Sequence, residues 1–429
     1  MPIGLSNITK TNNDWKGKKI KNDSQDLEKS PSANHCKHLV KIMKTNQESK
    51  KAFKCPICGN ANPTFFGYRN GKTYCRKCIS FRGQEVTGDY IQSDSADYEL
   101  HYRLSDDQKR LSKQLVENYK NGIDSLVHAV CGSGKTEIVL EVIRYAIEHK
   151  QKVGFAVPRR DVIRELSFRF QSIFEKNKIC TIYGGHVWKL KGDLICLTTH
   201  QLFRYEKYFD LLILDEIDAF PYNGNEVLEA FFKRAIKGHY ILMSATPPES
   251  VIKEFSKRGK SILQLNRRFH GFPLPVPEIK LCRGVMRYVQ LMKVLRRFLL
   301  ENKPVFVFTP TIDECEQTYN VLRFLFGSIN YVHSKKEDRN EVIDDFRKGK
   351  YKILVTTAVL ERGVTIKNLQ VVIFNADHPI YSSHALILIS GRLGRKKDAP
   401  TGEVIFIAKN KTSDMETAVR EIESANKDL

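Results

Sequence analysis

Residues Leu126–Thr136 read L-V-H-A-V-C-G-S-G-K-T, an apolar run entering a glycine-rich turn that opens onto Ile, Val and Leu at helical spacing. In a strand-turn-helix context these residue types suit a chain of phosphates. Gly132 and Gly134, with Ser133 between them, let backbone N–H groups approach phosphate oxygens, and the helix N-terminus adds positive potential. Lys135 reaches the outer phosphates and the Thr136 hydroxyl suits Mg²⁺. The first Gly of the usual G-x-x-x-x-G-K-[ST] pattern is Ala129, so the pattern is incomplete while its chemical positions remain. About eighty residues on, L-L-I-L-D-E-I-D ends an apolar run with Asp215, Glu216 and Asp218, at the kind of strand end where ligands sit in open α/β sheets. Asp215 is placed to hold Mg²⁺ through water and Glu216 to orient or deprotonate an attacking water. Together the two segments are expected to bind and hydrolyse a nucleoside triphosphate.

A second cluster has metal-ligand spacing. K-C-P-I-C-G-N and Y-C-R-K-C-I give the pairs Cys55/Cys58 and Cys75/Cys78, sixteen residues apart. Four thiolates close a tetrahedral Zn²⁺ site with no open position, which predicts a structural rather than a catalytic ion. Two disulfides or four free thiols are the alternatives. Phe65, Phe66, Tyr68, Arg69 and Lys72 lie between the pairs; the aromatics either stack on unpaired bases or pack the small core. Cys36, with His35 and His38, is too sparse a cluster to assign.

The chain that carries these sites has 429 residues, enough for several domains. With 41% hydrophobic and 28% charged residues it has the composition of a water-soluble globular protein, not of a disordered or fibrous one. Seventy basic against 49 acidic residues leave a formal charge of +21, suited to nucleic acid or to an anionic membrane surface. No run approaches the roughly 18 apolar residues of a membrane span, and the first thirty residues lack a signal-like apolar core. The expectation is a protein neither secreted nor inserted, working in a reducing cytoplasm.

Residues 1–51 hold eleven Lys against five acidic residues and read as a basic, flexible arm, or as a tail that only keeps the chain soluble. Residues 52–83 form the cysteine module. Between Leu126 and Thr246, Lys152–Val157, Leu194–Thr198, Leu211–Leu214 and Tyr240–Ser244 read as strands separated by helices, which predicts parallel β-α-β units. Prolines 247, 248, 273, 275 and 277 disfavour long regular elements and mark a connecting region. A second such pattern follows at Val305–Thr309, Ile353–Thr356, Val371–Asn375 and Val404–Ala408. The fold class is therefore α/β, with two tandem lobes at 84–270 and 271–429 behind the small module.

The order of these motifs resembles the two-lobed, RecA-like helicase superfamily of the DEAD/DEAH kind. L-S-D-D-Q places Gln108 like the glutamine that reads adenine there. A-V-P-R-R, with Arg159 and Arg160, and T-T-H-Q-L-F, with Thr199 and His200, resemble segments that grip the nucleic-acid strand. S-A-T at Ser244–Thr246 resembles the element coupling nucleotide state to closure of the lobes. V-F-V-F-T-P-T at Val305–Thr311 resembles the motif at the first strand end of the second lobe. Leu354–Thr365 resembles the motif touching strand and nucleotide, with Thr356, Thr357 and Gly363 at the matching positions. I-S-G-R-L-G-R then supplies Arg392 and Arg395, which resemble the arginine finger and its partner. Leu388 stands where that superfamily usually has Gln.

The four-cysteine module ahead of a D-E-I-D ATPase is more specific: from about Lys54 to Ile407 the chain resembles the ComFA family of bacterial late competence proteins. That resemblance implies a single-stranded DNA-dependent ATPase using ATP, Mg²⁺ and Zn²⁺ and driving DNA uptake at the cytoplasmic face of the membrane. It also implies the ComEC channel, ComFC and DprA as partners. A primosomal or repair-type duplex helicase, a non-catalytic zinc-dependent DNA-binding adaptor, and RNA as substrate remain open on the residues alone.

Overall fold

The computed structural model describes residues 53–427, except 82, 97, 101, 131, 269–270, 358–365, 395–398 and the side chain of Asp161. The basic arm and its Cys36 cluster, Gly363 and Arg395 lie outside the described residues.

A hairpin comes first. β1 (Phe66–Arg69) pairs antiparallel with β2 (Lys72–Cys75) across the two-residue turn Asn70–Gly71, with Arg69 opposite Lys72. Both turn residues have positive φ, 50° and 74°. That is the turn whose twist matches a hairpin, and Asn-Gly is the pair that tolerates it.

The first large sheet contains β3 (Ser125–Ala129), β4 (Val153–Val157), β5 (Ile179–Ile182), β6 (Leu194–Thr198), β7 (Phe209–Asp215), β8 (Ile236–Ser244) and β9 (Ser261–Leu265). Its order is β5-β6-β4-β7-β8-β3-β9 and every pairing is parallel. The second contains β10 (Glu278–Leu281), β11 (Val305–Phe308), β12 (Ile329–Val332), β13 (Ile353–Thr356), β14 (Gln370–Phe374) and β15 (Val404–Ala408), in the order β10-β15-β14-β11-β13-β12, again all parallel. These are the two parallel α/β lobes that the strand-like runs predict.

Helices cover both faces of each sheet, which is why the strands read as unbroken apolar runs. Val153, Phe155 and Val157 of β4 face one buried cluster, and Ala156 faces another. In the second lobe Phe306 and Phe308 face one cluster while Val305 and Val307 face the opposite one. No helix among the described residues is long and apolar enough to cross a membrane.

The proline-marked stretch corrects one expectation. It contains the helix Glu249–Lys257 and β9, which pairs with β3 and completes the first sheet. Pro248 is the helix's N-cap, so it sits where a missing N–H costs no helix bond and starts the helix instead of breaking it.

Phe306 is fully buried in the middle of the second lobe. Phe306→Ala should cost about 3–5 kcal/mol, read as a lower urea midpoint for that lobe's unfolding.

Candidate functional site

Parallel pairing puts the ends of β3, β7 and β8 on one edge of the first sheet, and the predicted phosphate loop, acidic cluster and S-A-T element follow those three ends. Val130 N–H donates to the Leu265 carbonyl at 3.0 Å, and the chain then turns through Gly132 and Gly134, both at φ 80°, into the short helix Lys135–Ile138. A Cβ on Gly134 would displace the Gln108 amide, and the backbone at φ 80° itself disfavours any residue but glycine there.

Gln108 braces this loop. Its Nε2 donates to the Ser133 carbonyl at 2.8 Å while its Oε1 accepts from Ser105 N–H at 2.9 Å, completing a capping box at the start of the helix Asp106–Lys120. The amide keeps one further N–H and one lone pair, the capacity a purine edge would use. Lys135 Nζ reaches back over the loop to the Ala129 carbonyl at 3.4 Å, and Thr136 is half-buried beside it. Two residues on, Glu137 pairs with Arg169, which also donates to the Tyr102 hydroxyl at 2.8 Å. Tyr102, six residues before Gln108, keeps 44% of its surface exposed, and no motif in the sequence marks it.

Asp215 is buried at the end of β7 and accepts the N–H of Glu216 at 2.8 Å. Glu216 itself sits at φ 58°. For a non-glycine residue that conformation costs on the order of 1 kcal/mol or more, a form of strain that collects at functional sites. Asp218 accepts from Ser244 Oγ at 2.6 Å and from Thr246 Oγ1 at 3.2 Å, while Thr246 N–H donates to Ser244 Oγ at 2.9 Å. The acidic cluster and S-A-T are thus one hydrogen-bonded unit joining two neighbouring strand ends. The sequence showed both segments but not their contact.

The expected strand-gripping residues divide. Arg160 is exposed and Arg159 half-buried at the start of the helix Arg160–Ile173. Thr199, by contrast, is fully buried, and His200 packs against Phe81 with ring centroids 5.8 Å apart. Burial pushes the His200 imidazole pKa down. Thr356 is also fully buried, its hydroxyl donating to the Thr357 carbonyl at 3.1 Å and its carbonyl accepting from Thr309, while Thr357 is nearly buried. The motif positions Thr199 and Thr356 thus fall inside the fold in this conformation. Among the described residues Arg392 is the largest side chain buried to this degree, 1% exposed, in the turn that follows the helix Ser383–Ser390.

The four cysteines converge. All are buried and their Sγ atoms lie within 4.8 Å of one another, with Cys55–Cys78 at 3.6 Å and Cys58–Cys75 at 3.7 Å. A tetrahedral ion with metal–sulfur bonds near 2.3 Å sets its ligand sulfurs about 3.8 Å apart, whereas a disulfide needs about 2.05 Å. The spacing therefore fits a four-thiolate metal site and not two disulfides. Burial pushes the Cys58 thiol up to about 11 and Cys78 higher still. Burial raises Cys55 too, but the N–H groups of Cys58 and Ile57 outweigh it and bring that thiol down.

The module sits on the first lobe. Its cysteines share a buried cluster with Leu202, Phe203 and Phe231, Phe81 meets Phe231 edge-on at 5.1 Å, and Lys77 pairs with Glu226 at 2.5 Å. Phe66 packs into that cluster, while Tyr68 is 74% exposed near the hairpin tip.

A ComFA competence protein of Bacillus subtilis is 31% identical to the chain over 400 residues, covering 88% of the chain and 86% of that protein. One from Streptococcus pneumoniae is 33% identical over 405 residues, covering 90% and 93%. The chain belongs to the ComFA family. Within this ComFA-family chain, residues 101–249 match the family model described as type III restriction enzyme, res subunit, and residues 289–397 match that of the helicase conserved C-terminal domain. A Saccharomyces cerevisiae Dbp5 structure, bound to RNA and ADP–beryllium fluoride, shares the fold with TM-score 0.57 at 18% identity, over 76% of this chain and 92% of that one. RecG bound to a three-way DNA junction does so with TM-score 0.54 at 19% identity, over 78% and 49%. This member of the ComFA family is a helicase-like, DNA-dependent ATPase.

In the ComFA-family chain Asp218→Ala leaves the Ser244 and Thr246 hydroxyls without their acceptor. DNA-stimulated ATP turnover should fall on the order of tenfold or more, as loss of charge-assisted hydrogen bonds implies, with the circular-dichroism spectrum unchanged.

Proposed function

We propose that the chain is an ATP-driven translocase on single-stranded DNA that serves DNA uptake across the cytoplasmic membrane during natural transformation. The observation that carries this reading is the match to competence proteins along nearly the whole chain, cysteine module included, with the phosphate loop and acidic cluster gathered on one sheet edge. ATP phosphates lie along the N–H groups of Gly132, Ser133 and Gly134 with Lys135 on the outer oxygens, and Gln108 takes the adenine edge. Magnesium, when bound with ATP, neutralises phosphate charge, and Thr136 and Asp215 are the residues to hold it. Glu216 orients the water that attacks the terminal phosphorus and takes its proton, as the bond to the ADP oxygen breaks. Arg392 and Arg395 belong to the second lobe's contribution to that charge. Zn²⁺, when bound, is structural: Cys55, Cys58, Cys75 and Cys78 hold it and so lock the hairpin onto the first lobe. Arg159 and Arg160 meet the DNA backbone, and the overall charge gives a sequence-independent, salt-sensitive hold. Residues 84–270 and 271–429 act as the two moving lobes, at the inner face of the membrane beside the uptake channel.

Steady-state hydrolysis by the full chain, with no nucleic acid, single-stranded DNA, duplex DNA or RNA, tests the reading against a Lys135→Ala background. Stimulation by single-stranded DNA above the other polymers is expected. Equal stimulation by RNA, or hydrolysis that depends on separating a duplex, would replace it with another helicase activity, and rates at background on every polymer would leave a DNA-binding adaptor. Metal analysis should give one zinc per chain, lost in a Cys58→Ser, Cys75→Ser double variant. Because two of the free thiols are protonated at neutral pH, binding the ion expels protons, so zinc affinity should fall as pH is lowered from 8 toward about 5, read by a chelator competition series.

A further inference from the structure

Between Glu175 and Asp193 the chain holds four lysines, a tyrosine, a histidine and a tryptophan, and no acidic residue. The edge strand β5 lies in this stretch. The turn from Tyr183 to His186 then reverses the chain: Tyr183 N–H donates to the His186 carbonyl at 3.1 Å, His186 N–H to the Tyr183 carbonyl at 2.8 Å, and the two rings stack with centroids 5.0 Å apart. The return run lies beside β5, where Cys180 Sγ donates to the Lys191 carbonyl at 2.9 Å. It presents Trp188, 82% exposed, with Lys189 exposed next to it.

A groove of about 310 Å³ opens at this run. It is lined by residues 84–87, the chain just past the cysteine module, together with Lys178, Trp188, Lys189 and Lys191. Lys191 fixes the chain that continues from that lining, donating through Nζ to the carbonyls of Gly88 at 2.9 Å and Asp89 at 3.4 Å. Lys178 is exposed and stands over the Tyr90 ring, 4.9 Å from its centroid. Glu85, the acid among the lining residues, pairs with Arg234 at 3.2 Å.

We propose that this groove is a binding site for single-stranded DNA, added to the contact at Arg159 and Arg160, in which a base stacks on Trp188 and backbone phosphates meet Lys178 and Lys189. Every base offers a π face, so an exposed aromatic flanked by cations holds a strand without reading its sequence. A tryptophan turned to solvent forfeits apolar burial, which stacking on a base recovers. The acid-free run suits a polyanion, and the recess decides which one: a flat anionic bilayer meets protruding groups, whereas an unstacked nucleotide enters a hollow of this size. In sheet order β5 stands five strand spacings from β3, roughly 24 Å, so the hold does not depend on what occupies the phosphate loop. The groove keeps the strand on the first lobe while the ATP-dependent grip is released. This deepens the single-stranded DNA reading and rests on it.

The test uses the full, zinc-replete chain. Its tryptophans are Trp15 and Trp188, so Trp15→Phe leaves Trp188 as the reporter. Without nucleotide, oligothymidylate should quench Trp188 emission to saturation, and should do so again when Lys135→Ala is added. By anisotropy of labelled oligothymidylate, Trp188→Ala should weaken binding at least about fivefold, with Trp188→Phe recovering most of the loss. Lys178→Gln together with Lys189→Gln should lower the slope of log affinity against log salt by about 1.4, at about 0.7 per phosphate contact. Unmoved emission with DNA that still stimulates ATP hydrolysis would overturn the groove alone and leave the translocase reading standing. Trp188→Ala binding as tightly as wild type would overturn it as well. A shift of Trp188 emission with phosphatidylglycerol vesicles and none with DNA would replace it with a bilayer-facing surface. A wild-type chain that neither binds single-stranded DNA nor is stimulated by it would instead remove the translocase reading, and this site with it.

Discussion

Parallel hydrogen bonding within each large sheet is the constraint on which the site depends. Because every strand of the first lobe points the same way, segments far apart in sequence leave the sheet at one edge: the phosphate loop after β3, Asp215 and Glu216 after β7, and the S-A-T element after β8. The β8 strand lies between β7 and β3, so its terminal Ser244 and Thr246 stand between the acidic cluster and the phosphate loop, and Asp218 takes hold of both hydroxyls. An antiparallel pairing of the same strands would have split these groups between two edges. The second lobe repeats the rule, with Thr309 and Thr356 joined where β11 and β13 end.

The cysteine module is built into this arrangement instead of being tethered to it. Arg204, buried at the end of the segment Thr199–Arg204, donates to the Gln84 carbonyl at 2.7 Å, and its own carbonyl accepts from Val86. A Cβ on Gly83 would strike that guanidinium. The chain leaving the module is therefore stitched to the segment holding Thr199 and His200, and His200 meets Phe81 of the module. Anything that loosens the four sulfurs acts on that segment directly.

Much of this was legible in the sequence, and for physical reasons. Strands buried on both faces must be apolar throughout, so the runs Leu194–Thr198, Ile353–Thr356 and Val404–Ala408 coincide with the strands of the fold. The strands that were missed, β5, β9, β10 and β12, lie at sheet edges, where one side lacks a neighbour and residues such as Lys280 and Asn330 dilute the apolar signal. The glycines, Lys135 and the cysteine pairs announce themselves because their chemistry needs fixed spacing. Contacts between distant segments do not: nothing near Arg268 in sequence points to the Leu393 carbonyl that its guanidinium meets, and nothing in T-T-H-Q or L-V-T-T reveals that Thr199 and Thr356 are enclosed.

The edges that hid those strands have another effect. β5, β10 and β12 are each only four residues long, and β10 carries its own ion pair between Lys280 and Glu278. An outer strand with so few free N–H and C=O groups is a poor template for strand addition by a second chain. Two sheets whose outer strands are this short present little border along which neighbouring copies could aggregate.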